Sequence, residues 1–305
     1  MKRILVLALY SVLGLSSLMA QDYSRYVDPR IGSEGLGRTF PGPCMPYGMA
    51  KPGPDAVTMP NAGWAPIPEP VKGFSQMHVS GTGGGQKYGN ILIQPYLDSK
   101  EIIQKRMDEK ISLGYYACTF ENGIRTEITA SDRCAFYRLD FGKKQKGKLL
   151  IDVATFLGID TIPDKREAQQ YVDSYVSCDG KYAVSGWSTV RGGWNNGGPY
   201  TVYFYLQSDV PLSNSDATLY NKVKESKTRL DVAFSKSTVN LKVGISHISI
   251  AQAKRNIPFC GFDAQLKHLR ETWNGKLRKH TMQFCRILCD FCPSAQTLFS
   301  ACIPQ

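Results

Sequence analysis

Outside its first twenty residues the chain has no apolar run long enough to span a membrane, no basic stripe and no nucleic-acid-binding motif. Its 37 lysines and arginines outnumber 26 acidic residues, giving a formal charge of +11, but they are scattered. The excess therefore reads as a solvated surface, and nucleic acid is set aside as a partner. The glycine-rich stretch from Gly81 to Gly85 lacks the Lys-Ser/Thr pair and the following helix that a phosphate cradle needs. Helical patterns do not alternate with strands, which argues against a doubly wound sheet. No cysteine follows the amino-terminal apolar stretch, so nothing there suggests a lipid anchor.

What is present fits a large globular chain. With 305 residues, 42% apolar content and a mean hydropathy of -0.26, it is long enough to bury about three quarters of its unfolded surface. Residues 1–20 read as a signal peptide: Lys2 and Arg3 are followed by the apolar Ile4 to Leu15, then by a cut before Gln21. The mature chain is expected to be periplasmic or secreted, with no membrane span left after signal removal.

Residues 26–96 form a glycine- and aromatic-rich block that reads as loops rather than as clean helices or strands. Behind it the pattern alternates: Tyr116, Cys118 and Phe120 rise to Asn122-Gly123, and Ile124, Thr126 and Ile128 descend. If Asn122-Gly123 is a two-residue turn, residues 121 and 124 face each other and Cys118 lies opposite Glu127, not Cys134. Ala135, Tyr137, Leu139 and Phe141 alternate again, and Leu149 to Phe156 is apolar enough for a strand covered on both faces. Further strands are predicted over 182–190, 200–206, 230–234 and 241–250. The predicted fold class is all-β, a large antiparallel β-sandwich over 21–260 followed by the start of a helical linker.

The period then changes. Asp263 can cap a helix over 261–277 with Leu266, Leu269 and Trp273 on one face and Gly275 as its stop. Residues 278–305 show no usable period and carry Cys285, Cys289, Cys292 and Cys302, an atypical tail that reads as a translated out-of-frame or truncated end. With His280 these cysteines loosely resemble a thiolate zinc site, but no regular Cys-x2-Cys pairing is present, and the metal reading is set aside. The five other cysteines, Cys44, Cys118, Cys134, Cys178 and Cys260, are expected to be buried thiols rather than bridges.

The opening block carries Tyr26-Val27-Asp28-Pro29-Arg30-Ile31-Gly32, Gly37-Arg38-Thr39-Phe40-Pro41-Gly42, Pro46-Tyr47-Gly48-Met49, Pro54-Asp55, Gly73 through Gly83 and Tyr88-Gly89-Asn90-Ile91-Leu92. Val243-Gly244-Ile245-Ser246 and Ser249 through Asn256 follow later. In this order the segments resemble the amino-terminal domain of glycoside hydrolase family 92, exported calcium-dependent exo-α-mannosidases, over residues 23–277. The resemblance implies a sandwich joined by a helical linker to a carboxy-terminal (α/α) barrel-like domain, with the active site between them. It implies inverting hydrolysis of α-mannosidic bonds, with mannose-containing glycans as partners and calcium as the full-length enzyme's cofactor. The family's acid, base and calcium ligands come from the carboxy-terminal domain, so no catalytic or metal-binding residue is carried over, and no calcium is expected on this chain alone. The missing helical domain is itself an expected partner, and this polypeptide alone is expected to be inactive. The competing reading is a stand-alone carbohydrate-binding β-sandwich module.

The candidate substrate-binding residues are Trp64, His78, Arg38 and Trp194. An indole stacks on the apolar face of a pyranose, and an imidazole or guanidinium hydrogen-bonds its hydroxyls. For Trp64 the competing reading is an aromatic tucked against the sandwich. His78 can equally be an internal group holding the glycine loop. Arg38 and Asp55 can line the pocket or form a surface ion pair, and Trp187 is assigned to the core.

Overall fold

The computed structural model describes residues 22–35, 37–60, 62–80, 87–97, 103–143, 146–158, 166, 168–214 and 228–291, the last twelve as backbone only. The signal-peptide expectation, the Gly81 to Gly85 loop and residues 292–305 of the tail lie outside them. Val27–Arg270 form one compact unit containing both sheets; residues up to Tyr26 and from Glu271 onward belong to a second. In that second unit the Tyr23 amide donates to Asn274 Oδ1 at 2.7 Å.

Strands are numbered in chain order. One sheet has six, in the order β1 (Gly53–Ala56), β2 (Val71–Ser75), β3 (Leu92–Tyr96), β8 (Lys148–Asp152), β13 (Arg229–Phe234) and β12 (Leu212–Asn214). The other has eight: β4 (Arg106–Ser112), β5 (Tyr115–Phe120), β6 (Arg125–Ala130), β7 (Cys134–Asp140), β14 (Thr238–Ser246), β11 (Tyr200–Ser208), β10 (Ala183–Gly192) and β9 (Gln169–Cys178). Neighbouring strands pair antiparallel, as in β7 with β14 and β8 with β13.

Period-2 alternation puts one face of every long strand inward. Tyr116, Cys118 and Phe120 of β5, Tyr137 and Leu139 of β7 and Val239, Leu241, Val243 and Ile245 of β14 share one core with Phe74 of β2, Ile93 of β3 and Leu230, Val232 and Phe234 of β13 from the six-stranded sheet. Phe74 bridges the layers, its ring centroid 6.1 Å from that of Tyr116 and 6.0 Å from that of Phe120. The antiparallel sandwich predicted from the sequence is the observed fold.

Five local expectations differ. The opening block supplies β1, β2 and β3, whose short lengths and Gly and Pro content hid the period. The hairpin at Asn122-Gly123 has a three-residue loop: the Phe120 amide donates to the Ile124 carbonyl at 2.8 Å and Cys118 faces Thr126, with Gly123 at φ +86°. The strand predicted over 241–250 ends at Ser246, because the Ser249 hydroxyl accepts from the Gln252 amide and starts helix α1 (Ile250–Arg255). Helix α2 spans Phe262–Phe291 and passes through Gly275, which therefore does not end it. Trp187 is half-buried on the outer face of the eight-stranded sheet, between Tyr175 and Tyr203, not in the core.

Both helices start on that outer face. Ala253 of α1 packs with Ala183 and Tyr205, and Phe262 and Leu266 of α2 pack with Tyr115, Ala117, Cys134 and Phe136. This coverage explains why β5 and β7 are buried on both faces.

Candidate functional site

Two clusters organise the loops at one end of β1 and β2, and an antiparallel bridge between His78 and Tyr88 connects them. The first cluster is closed. His78 Nε2 stands 2.7 Å from Asp55 Oδ1, and its Nδ1 stands 2.7 Å from the Lys51 carbonyl oxygen. The Ser75 hydroxyl donates to the same Asp55 oxygen at 2.9 Å. Both ring nitrogens thus face acceptors. A carbonyl oxygen can only accept, so Nδ1 is the donor to Lys51, while Nε2 faces the Asp55 carboxylate. The Phe40 ring stacks on the imidazole with centroids 4.4 Å apart, and Gly63, at φ +82°, leaves room that a Cβ 2.7 Å from His78 Cδ2 would take.

Trp64 lies beside this cluster and is 1% exposed. Its indole N–H donates to the Glu109 carboxylate at 3.1 Å, where Tyr116 Oη also donates at 2.5 Å and Arg106 forms an ion pair. The Arg106 guanidinium in turn donates to the carbonyls of Ala65 and Glu69 at 2.6 and 2.9 Å. This network clamps the 57–70 loop to the first strand of the other sheet. Burial pushes the Tyr116 phenol well above its ordinary value, so it remains a donor to Glu109.

The second cluster is open. The loop after β10 runs Gly192, Gly193, Trp194, Asn195 and Asn196 at φ +86, +65, +49, +63 and +63°, a single left-handed turn closed by the Gly197 amide donating to the Gly193 carbonyl at 2.6 Å. Asparagine tolerates this region, but for tryptophan it costs on the order of 1–2 kcal/mol. Trp194 is 41% exposed. Its ring lies 6.1 Å from that of Tyr88 and 5.9 Å from Lys87 Nζ, and Tyr88, itself at φ +62°, meets Tyr200 edge-on at 5.6 Å. Tyr200 Oη donates to Asn90 Oδ1 at 3.3 Å, and burial raises its phenol above the ordinary value. The result is an exposed indole on a supported aromatic shelf.

The four sequence-derived residues divide accordingly. Trp64 and His78 are both buried, with the indole N–H engaged by Glu109 and the imidazole by Asp55 and Lys51. Arg38 and Trp194 are exposed. Asp55 is 2% exposed and committed to His78, so it neither lines a pocket nor pairs with Arg38. Sequence reasoning missed Tyr88, Tyr200 and Lys87 as the supports of Trp194. The signals were Tyr88 directly before Gly89 and Tyr200 opening an alternating run.

Among the described residues the carboxylates buried in the sandwich are engaged by partners of opposite charge or by donors. Asp55 is taken by His78, Glu109 by Arg106, Tyr116 and Trp64, and Asp152 by Arg229 at 2.8 Å. Among the described residues no three His, Cys, Asp or Glu side chains converge. These residues do not fit a calcium ion.

Fold and loops together define a class: a two-sheet antiparallel sandwich with an exposed aromatic shelf on its loops. Residues 26–246 match the glycosyl hydrolase family 92 N-terminal domain, and the chain belongs to that family. It is 35% identical over 145 residues to an "uncharacterized secreted glycosidase" of Arthroderma benhamiae, a match covering 42% of this chain and 19% of the relative. The structure of the family GH92 α-mannosidase BT3965 from Bacteroides thetaiotaomicron superposes with a TM-score of 0.70 at 21% identity, covering 85% of this chain and 38% of that one. Its complex with mannoimidazole gives the same TM-score and identity and is covered to 37%. The chain thus spans under two fifths of these relatives, and the low-identity superpositions speak to the fold. Among the described residues no helix is long and apolar enough to cross a membrane.

Proposed function

We propose that this chain is the substrate-pocket-contributing amino-terminal part of an exported α-mannosidase, and that alone it binds mannose-containing glycans without cleaving them. The observation that carries this reading is Trp194, exposed and held in a left-handed turn against Tyr88. Backbone strain concentrates where a side chain must be presented. The indole supplies a flat apolar face for a pyranose ring, and Arg38, on the exposed loop after Gly37, supplies donors for its hydroxyls. Trp64 and His78 act from beneath, fixing the loops they anchor.

Support for the substrate class comes from the relatives: one carries the name of a secreted glycosidase, and another is an α-mannosidase solved with mannoimidazole. Inverting hydrolysis needs a carboxylic acid to protonate the leaving oxygen and a carboxylate to activate water. The buried carboxylates Asp55, Glu109 and Asp152 are paired inside the fold, and by the resemblance to the family the acid, the base and the oxygen ligands for calcium would come from a helical partner domain. Titration calorimetry with an α-mannobioside tests the shelf. Saturable binding is expected, weakened about tenfold, roughly 1.4 kcal/mol, in Trp194→Ala. Equal binding by the variant would remove Trp194 from the site.

A further inference from the structure

We propose that Cys134 and Cys260 are a redox-sensitive pair, which a small disulfide oxidant converts into a disulfide that pins the segment before α2 to the outer face of the eight-stranded sheet. Cys134 and Phe136 of β7 pair with Gly244 and Lys242 of β14, and the chain following α1 passes directly over those partners. At Gly244 a Cβ would stand 2.2 Å from the Ala253 carbonyl oxygen and 2.8 Å from Ile257 Cγ1, so the glycine admits the overlying backbone. One pair further along, Lys242 Nζ donates to the Pro258 carbonyl at 2.8 Å and stands 5.6 Å from the centroid of the Phe136 ring.

Beyond Cys260, Gln265 Nε2 donates to the carbonyl of Ala130, the cross-strand partner of Ala135, at 3.0 Å. Its Oε1 accepts from the Cys260 thiol at 3.5 Å. Cys260 is therefore bracketed on both sides by contacts to the strand residues flanking Cys134, and it packs on the apolar cluster containing Cys134, Phe136 and Phe262. Cys118 points into the opposite, inter-sheet core and cannot compete. Burial pushes the Cys134 thiol above its ordinary value, with Cys260 a minor further contribution.

The order of reaction follows from exposure. Cys260 is half-buried and attacks the oxidant, forming a mixed disulfide and releasing one thiol of the oxidant. The buried Cys134 then loses its proton, attacks the Cys260 sulfur and displaces the second thiol. Two S–H bonds are lost, one S–S bond forms, two protons leave the protein thiols, and the electron pair reduces the oxidant to two thiols. The disulfide would tie β7 to the start of the linker helix and fix where that helix leaves the sandwich.

The folded chain is incubated with oxidised glutathione, blocked with iodoacetamide, digested without reduction and mapped by mass spectrometry. The expected product is a peptide pair joined through Cys134 and Cys260, reversed by dithiothreitol and accompanied by a higher Tm. In Cys260→Ser the cross-link and the Tm rise are both lost, while the oxidant leaves Cys134 unmodified. A Cys260–glutathione adduct that persists with Cys134 still reduced, or a cross-link from either residue to another cysteine, would overturn the proposal.

Discussion

His78 and Asp55 meet at 2.7 Å with side chains 0% and 3% exposed, and through the His78–Tyr88 bridge this buried pair sits behind the exposed indole of Trp194. The pair is held on several sides: the Ser75 hydroxyl donates to Asp55, His78 Nδ1 meets the Lys51 carbonyl, and Phe40 closes one face of the ring. Replacing His78 by alanine leaves a buried carboxylate without its partner. The expected loss is about 3–5 kcal/mol in urea unfolding, far more than for an exposed histidine. A loss under about 1 kcal/mol would place the pair in contact with water.

The two tryptophans should behave oppositely. Trp64→Ala opens a cavity and strips Glu109 of a donor, for a loss of roughly 3–5 kcal/mol, whereas Trp194→Ala stays within about 0.5 kcal/mol of the parent in stability. Chemical denaturation measures both, and iodide quenching of fluorescence distinguishes them independently: Trp194→Phe should lose quenchable emission and Trp64→Phe should not.

Gly63 and Gly123 share a left-handed backbone, at φ +82 and +86°, but differ in surroundings. A Cβ at Gly63 meets His78 at 2.7 Å, while at Gly123 nothing lies within 4 Å. Gly123→Ala should therefore cost only the conformational penalty of about 1 kcal/mol, and Gly63→Ala that penalty plus the displacement of His78. Thermal melts of the two variants separate backbone strain from packing; equal shifts would mean that His78 yields without cost.

Burial pushes the Cys118 thiol from its ordinary 9.0 up to about 12. The folded chain keeps this proton after the unfolded chain has released it. The stability it supplies is thus complete below about pH 9 and is lost as pH climbs toward about 12. The unfolding free energy should fall across that window, and less steeply in Cys118→Ala. At pH 8 iodoacetamide should modify Cys260 well before Cys118.

The sandwich was legible because its long strands alternate cleanly. Val239, Leu241, Val243 and Ile245 state their inward face outright, as do Tyr137 and Leu139. The short strands β1 and β2 were not legible, because four or five residues rich in glycine, proline and polar groups carry no period, and their pairing depends on partners distant in sequence. The Asn122-Gly123 register slipped by one because a two-residue and a three-residue loop fit the same dipeptide. Trp194, which is exposed, was singled out by its glycine-flanked indole. The burial of Trp64 was one of two readings that the sequence left open, since the carboxylate that holds it comes from residue 109 on the other sheet.

The most direct test is to incubate the purified chain with an α-mannobioside and calcium and to assay free mannose. No release above the background of the buffer is expected, with the disaccharide still bound in a Trp194-dependent manner. Clear mannose release by this polypeptide would contradict the assignment of the acid, the base and the calcium ligands to a separate domain.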